Sequence, residues 1–243
     1  MHNPLASVLS FLTLVPSGSH TLEDTAKNMH IFPAIGIAMG FVLGMVGLGL
    51  SYAGADPIIT AFFLVAATMV VTGLHHTDGL ADFADGLMRK GKASEKLAAM
   101  RDINVGTGGI AAIILYVVGM VAALSVADGE MIFWMILFGE AMAKFSMVLV
   151  ASMGSPTRTG SSLPFVDAMR HRWRLVVASA ITLVPLVAFG GPVAIVALAC
   201  SSLVAVLTTI LAERGFGGIT GDVIGAANEL GRLSFVMAYV VFS

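Results

Sequence analysis

The chain reads as an all-α, polytopic integral membrane bundle of six to seven transmembrane helices, and three observations predict it. Hydrophobic residues make up 57% of its 243 positions and charged residues 12%, against about 25% charged in a soluble domain, and the mean hydropathy is +0.93. Apolar segments close to the ~20 residues that cross a hydrocarbon core recur along the whole length. The charges collect in the connections between them. With no internal repeat, no low-complexity tract and no soluble appendage in evidence, a single membrane-embedded domain over 1–243 is expected.

Residues 5–15 are apolar but lack the basic flank of a signal peptide and are too short to span, so an interfacial or re-entrant helix ending at Pro16 is expected there. Spans follow at 31–53, 57–74, 109–127, 131–151, 173–189 and 192–212. A seventh, weaker candidate covers 223–242. Its first half carries Asn228, Glu229 and Arg232, which should face protein or a wet cavity and not lipid. Cys200 sits in an apolar run with no second cysteine to pair with, and reads as a small buried apolar residue.

The connections fix an orientation. Those at 54–56, 128–130 and 190–191 are short and free of Lys and Arg, and they alternate with longer basic ones. The first basic loop holds Arg89, Lys90, Lys92, Lys96 and Arg101, the second Arg158, Arg170 and Arg172, and the third Arg214. The positive-inside tendency puts these loops, and the N-terminal segment with Lys27, on the cytoplasmic side of an inner membrane. A net charge of −2 supplies no basic field for nucleic acid. Membrane lipid is the expected surrounding, and the oligomeric state, homo-oligomer included, is left open.

The stretch from His76 to Gly86 places Asp78, Asp82 and Asp85 at offsets of four and seven, one face if helical. Carboxylates about 6 Å apart repel by roughly 3 kcal/mol at an effective dielectric of about 20. A helix at a membrane edge that keeps all three ionised therefore needs a cation, and oxygen-only ligands favour Mg²⁺, Mn²⁺ or Ca²⁺. His76 beside them could be a general base, a metal ligand or a hydrogen-bond partner.

A second cluster runs from Arg101 and Asp102 through Asn104 to Gly106, Thr107 and the glycines behind them. Glycines at a helix entrance expose amides suited to phosphate. Arg101 could clamp it and Asp102 could add a metal ligand. A third cluster, Thr220-Gly221-Asp222 with Gly225, combines a helix cap with a small-residue packing face. Packing explains the glycines but not Asp222 and Glu229, seven apart on one face. Glu140 and Lys144 stand four apart within a span, either as a self-neutralising pair or with Lys144 reaching a substrate phosphate. Together the acidic face, the anion sites and the cations suit a metal-dependent transferase acting on a diphosphate-linked substrate.

Set in order, these motifs resemble the cobalamin synthase family, the adenosylcobinamide-GDP ribazoletransferases of vitamin B12 assembly. The resemblance runs from Ser10-Phe11-Leu12-Thr13 with Pro16 through Phe32-Pro33 and Ile35-Gly36, His76 to Gly86, and Met100-Arg101-Asp102 with Gly106-Thr107. It ends at Thr220-Gly221-Asp222, Gly225-Ala226 and Glu229-Leu230. Leu14 stands where the family commonly carries a basic residue, and brings no charge there. The resemblance implies transfer of the adenosylcobinamide phosphate unit from adenosylcobinamide-GDP to α-ribazole or its 5′-phosphate, with loss of GMP and help from Mg²⁺. Asp78, Asp82 and Asp85 would then bind the metal at the diphosphate, with Asp102 and Asp222 completing the site or orienting the ribazole hydroxyl. A CDP-alcohol phosphatidyltransferase fits less well, since Asp82 follows Ala81 where that signature has arginine. A cation transporter fits less well too, because the acidic residues gather at one edge and not at the midplane.

The topology has a direct test. In a protein labelled from either side with a membrane-impermeant thiol reagent, Ser94→Cys should react from the cytoplasm and Gly129→Cys from outside, and the reverse pattern would overturn the orientation.

Overall fold

The computed structural model describes residues 3–18, 20–157 and 160–243; Arg158, assigned above to a basic loop, lies outside them. Among the described residues the fold is entirely helical: α1 (Pro4–Leu12), α2 (Leu22–Lys27), α3 (Phe32–Tyr52), α4 (Pro57–Thr72), α5 (His75–Met88), α6 (Ala93–Ala99), α7 (Thr107–Ser125), α8 (Gly129–Met153), α9 (Leu163–Met169), α10 (Arg172–Phe189), α11 (Gly191–Phe216) and α12 (Gly221–Phe242). A 3₁₀ turn, Met29–Ile31, leads into α3. Five of these are long and apolar enough to cross a membrane, and α4 with α5 makes a sixth if the bent pair is one span. α12, the weaker seventh candidate, is a helix, and Asn228, Glu229 and Arg232 are buried in protein.

Sequence chemistry sets the ends. Asn3 caps α1 by accepting from the amides of Leu5 and Ala6, with Pro4 in the first turn. α1 is shorter than the 5–15 segment, because the Thr13 hydroxyl folds back on the Leu9 carbonyl at 2.7 Å and the Leu14 amide is taken by the Val71 carbonyl at 2.8 Å. α4 begins at the Asp56 cap followed by Pro57 and ends at Gly73 in the left-handed region (φ +67°). Leu74 follows with φ +64°, a conformation a non-glycine residue adopts at a cost of about 1–2 kcal/mol. These two left-handed residues swing α5 through 93° from α4. α5, rich in aspartate and turned across the bundle, is not by itself one of the five.

α8 is the axis of the bundle, and α3 packs along it backbone to backbone. A Cβ on Gly36 would collide with the Glu140 carbonyl, and one on Gly40 would lie 2.7 Å from that of Leu137. Gly44 meets Phe133 in the same way. The spacing of four keeps these glycines on one helix face, the small-residue interface by which membrane helices approach closely.

Four charges are buried at the meeting of α7, α8 and α12. The Arg232 guanidinium grips Glu140 with two hydrogen bonds, Nε to Oε1 at 2.5 Å and Nη2 to Oε2 at 3.0 Å. It also donates to Glu229 and, at 2.7 Å, to the Tyr116 hydroxyl. Lys144 closes the set on Glu140 at 2.8 Å. Two cations and two carboxylates, none more than 2% exposed, cancel in formal charge.

Removing one member should therefore be costly. Arg232→Met would strand Glu229 without its counter-charge and leave Glu140 to Lys144 alone, and a loss of about 3–5 kcal/mol is expected as a marked fall in Tm in detergent. Arg170→Ala, which removes a surface pair with Asp167 in which both side chains are at least half exposed, should change stability by no more than about 1 kcal/mol.

Candidate active site

α5 and α12 cross where neither has a side chain. A Cβ on Gly79 would lie 2.9 Å from the Asp222 carbonyl oxygen, and one on Gly225 would lie 3.4 Å from the His76 Cα. This contact brings Asp78 and Asp82 of α5 against the first turn of α12, which Asp222 occupies. Thr220 caps that turn, accepting from the Val223 amide at 3.2 Å, and its hydroxyl also donates to Asp222 at 3.3 Å.

The turn is held from the other side by a short parallel bridge between Pro156 and Ile219. The Thr157 amide donates to the Ile219 carbonyl at 3.1 Å, as does the Ser162 hydroxyl at 2.6 Å. Gly218 is required here. Its φ is +149°, and a Cβ would lie 2.7 Å from the Ser155 carbonyl.

The electrostatics follow from the crowding. The Asp82 carboxyl is pushed up to about 6, first by burial and then by the negative charges of Asp78, Asp222 and Asp85. Among the described residues, no three His, Cys, Asp or Glu side chains converge tightly enough to hold a metal ion by themselves. Mg²⁺ keeps several waters and is usually held by one or two carboxylates together with substrate phosphates, so it does not require such a triad.

The structure gives Asp85 and the Gly106–Thr107 entrance a different relation from the one expected. Both Asp85 oxygens accept backbone amides at the start of α7, from Gly106 at 2.7 Å and Gly109 at 2.9 Å. The anion at this helix start is thus the protein's own carboxylate, because α5 packs against α7 at that level, and those amides are already engaged. Asp102 also stands apart from the Asp82 group. It accepts from the amide and side chain of Asn104 at 2.9 and 3.0 Å, bonds that hold its carboxyl below the usual range. Asp102, Asn104, Gly106 and Thr107 border, together with Asp85, a separate cleft of about 260 Å³.

Two clefts meet at Gly221 and Asp222. The larger, about 370 Å³, is walled by Phe11 and Phe165, whose rings lie 5.3 Å apart, and floored by His76. His76 is 4% exposed, and its Nδ1 finds no hydrogen-bond partner among the described residues. The smaller, about 170 Å³, is bordered by Arg101, Thr220 and Asp222. Lys144 and Glu229 reach neither. Each is about fully buried and committed to the charge cluster described above, because an unpaired charge at that depth would be too costly.

Sequence reasoning passed over Ser161, which borders both clefts, and Tyr116, whose hydroxyl completes the Arg232 set. Neither stands in a motif. Arg232 and Glu229 carried a usable signal, an i, i+3 charge pair inside an apolar segment.

A polytopic helical membrane protein whose two clefts meet at one carboxylate, Asp222, is built as a membrane-embedded enzyme. The chain belongs to the cobalamin-5-phosphate synthase family, whose model matches residues 4–240. It is 30% identical over 230 residues to an adenosylcobinamide-GDP ribazoletransferase of Archaeoglobus fulgidus, covering 95% of this chain and 94% of that protein. It is also 30% identical to one of Bradyrhizobium diazoefficiens (96% and 91% covered) and 27% identical to one of Methanocella arvoryzae (96% and 93%). No solved structure matches it. The resemblance read from the motifs thus holds along nearly the whole chain.

The two kinds of carboxylate can be told apart by stability. Asp85→Ala strips the start of α7 of its partner and should cost about 0.5–2 kcal/mol, seen as a lower Tm and faster amide exchange at Gly106 and Gly109. Asp82→Ala relieves repulsion and should leave Tm unchanged or raise it.

Proposed function

We propose that the chain transfers the adenosylcobinamide phosphate unit from adenosylcobinamide-GDP to a ribose hydroxyl of α-ribazole or of α-ribazole 5′-phosphate, releasing GMP in the last steps of cobalamin assembly. The observation that carries this reading is Asp222, held by the Gly79–Gly225 crossing between two clefts and facing Asp78 and Asp82. Membership of the family, and relatives that bear the ribazoletransferase name over nearly their whole length, favour it over a lipid-forming phosphatidyltransferase or a transporter.

In this reading Asp78 and Asp82 would hold Mg²⁺, which would supply positive charge to the donor's pyrophosphate. When bound, the ion would neutralise the pyrophosphate and stabilise the departing phosphate. Arg101, across the smaller cleft from Asp222, meets the GMP phosphate. The aromatic wall of Phe11 and Phe165 takes the flat base of the acceptor, and Asp222 orients its hydroxyl with His76 in the floor. The oxygen–phosphorus bond forms as the bridging bond to GMP breaks, and the hydroxyl proton passes to Asp222 or His76. Asp85 acts by fixing α5 to α7 and not by touching substrate. The site faces the cytoplasm, where nucleotide-activated substrate would be available, and the enzyme resides in the inner membrane.

The test uses protein purified into lipid, given adenosylcobinamide-GDP and α-ribazole. GMP should appear only with both present, should stop in excess EDTA and should return with Mg²⁺. Asp82→Ala should lower turnover to below about 1% of wild type with membrane insertion intact, in line with the loss of a group that stabilises developing charge. Persistent activity in EDTA would remove the metal from this scheme, and release of CMP from a CDP-linked lipid with no GMP release would replace the reaction.

A further inference from the structure

The segment that opens α10, Arg170-His171-Arg172-Trp173-Arg174, carries three arginines and an indole in five residues and has no part in either cleft. Its setting is a membrane boundary. α10 is an outer helix with only 17% of its apolar window buried. Val176, Val184 and Val187 on it are each at least 60% exposed, so this helix shows its flank to lipid from its second turn onward. Trp173, 54% exposed, stands where aromatic belts form at the headgroup level.

The three arginines are not equivalent. Arg170 is spent on Asp167 at 3.1 Å. Arg172 is exposed and makes no hydrogen bond or ion pair among the described residues. Arg174 lies with its guanidinium 5.4 Å from the Trp173 ring centroid and donates one hydrogen bond, from Nη1 to the Ala168 carbonyl at 2.8 Å. Its Nε is buried and finds no acceptor among the described residues. The same indole packs edge-on against His30 at 5.0 Å, and the His30 Nδ1 is likewise without a partner. Two cations thus flank an interfacial tryptophan, and beneath them lie two buried nitrogens, Arg174 Nε and His30 Nδ1, with no partner among the described residues.

We propose that this corner between the 3₁₀ turn and α10 binds the headgroup of an anionic phospholipid of the cytoplasmic leaflet. Arg172 and Arg174 engage the phosphodiester, and the indole packs along the glycerol backbone. Arginine suits the role because its planar fork pairs with two phosphate oxygens at once. Basic side chains at a membrane surface draw in anionic lipid by the same attraction. The lipid would brace the start of α10 against α9 and the turn before α3, away from the chemistry.

The test reads lipid binding and not turnover. The full chain is reconstituted in vesicles containing phosphatidylglycerol and phosphatidylcholine in equal amounts, extracted in mild detergent and weighed by native mass spectrometry. Wild type should retain phosphatidylglycerol over phosphatidylcholine by about 30-fold, the worth of two cations at an anionic surface. R172Q/R174Q should lose that preference, and R172K/R174K should recover part of it, which a merely misfolded variant would not. No preference in wild type, or a preference untouched in R172Q/R174Q, would overturn the proposal. Displacement of the retained lipid by inorganic phosphate alone would overturn it as well, by marking a site for soluble anions.

Discussion

A guanidinium inside an apolar bundle is tolerable only when its charge and its donors are both met, and Arg232 is the residue on which that condition falls most heavily. Its bonds to Glu140, Glu229 and Tyr116 tie α12 to α8 and α7. Lys144 donates to Glu140 as well, which brings the set to two cations and two carboxylates. A set of this kind is not a large source of net stability, since desolvation offsets most of the attraction. Its effect is on register. α12 cannot slide or rotate against α8 without leaving a charge unpaired, and so its first turn, with Asp222, is held at a defined height.

The acidic residues divide by how their charge is met. Glu140 and Glu229 are satisfied by cations in the interior, and Asp85 by the amides that open α7. Asp78, Asp82 and Asp222 share one neighbourhood, and the Asp82 carboxyl is raised by burial first and by the neighbouring negative charges second. Charge that the fold does not neutralise is available for a ligand. The rim, not the interior, is accordingly where the proposed metal and pyrophosphate belong.

Close backbone approach gives this separation its geometry. The four-residue glycine spacing on α3 lets it lie flat on α8, and the Gly79–Gly225 crossing lets α5 pass over α12 at a distance that any larger side chain would forbid. The two left-handed residues between α4 and α5 turn the aspartate helix across the bundle end. Without that turn, an α4 that simply continued would carry Asp78, Asp82 and Asp85 away from α12.

The helical class, the order of the spans and the common face of Asp78, Asp82 and Asp85 were all legible in the amino-acid sequence, because hydropathy and helical period are local properties. So was the family, carried by short motifs that keep their order. The sequence could not say which charges meet. Glu140 and Arg232 are 92 residues apart, Asp85 and Gly106 are 21 apart, and each pairing arises only when separate helices pack. Lys144 and Glu229 therefore read as site candidates until packing buried them together, and the glycine entrance to α7 read as a phosphate site until α5 delivered a carboxylate to it. Local pattern determined which residues are helical and which are charged; tertiary structure decided which of those charges are cancelled, since attraction and desolvation depend on distance in space and not along the chain.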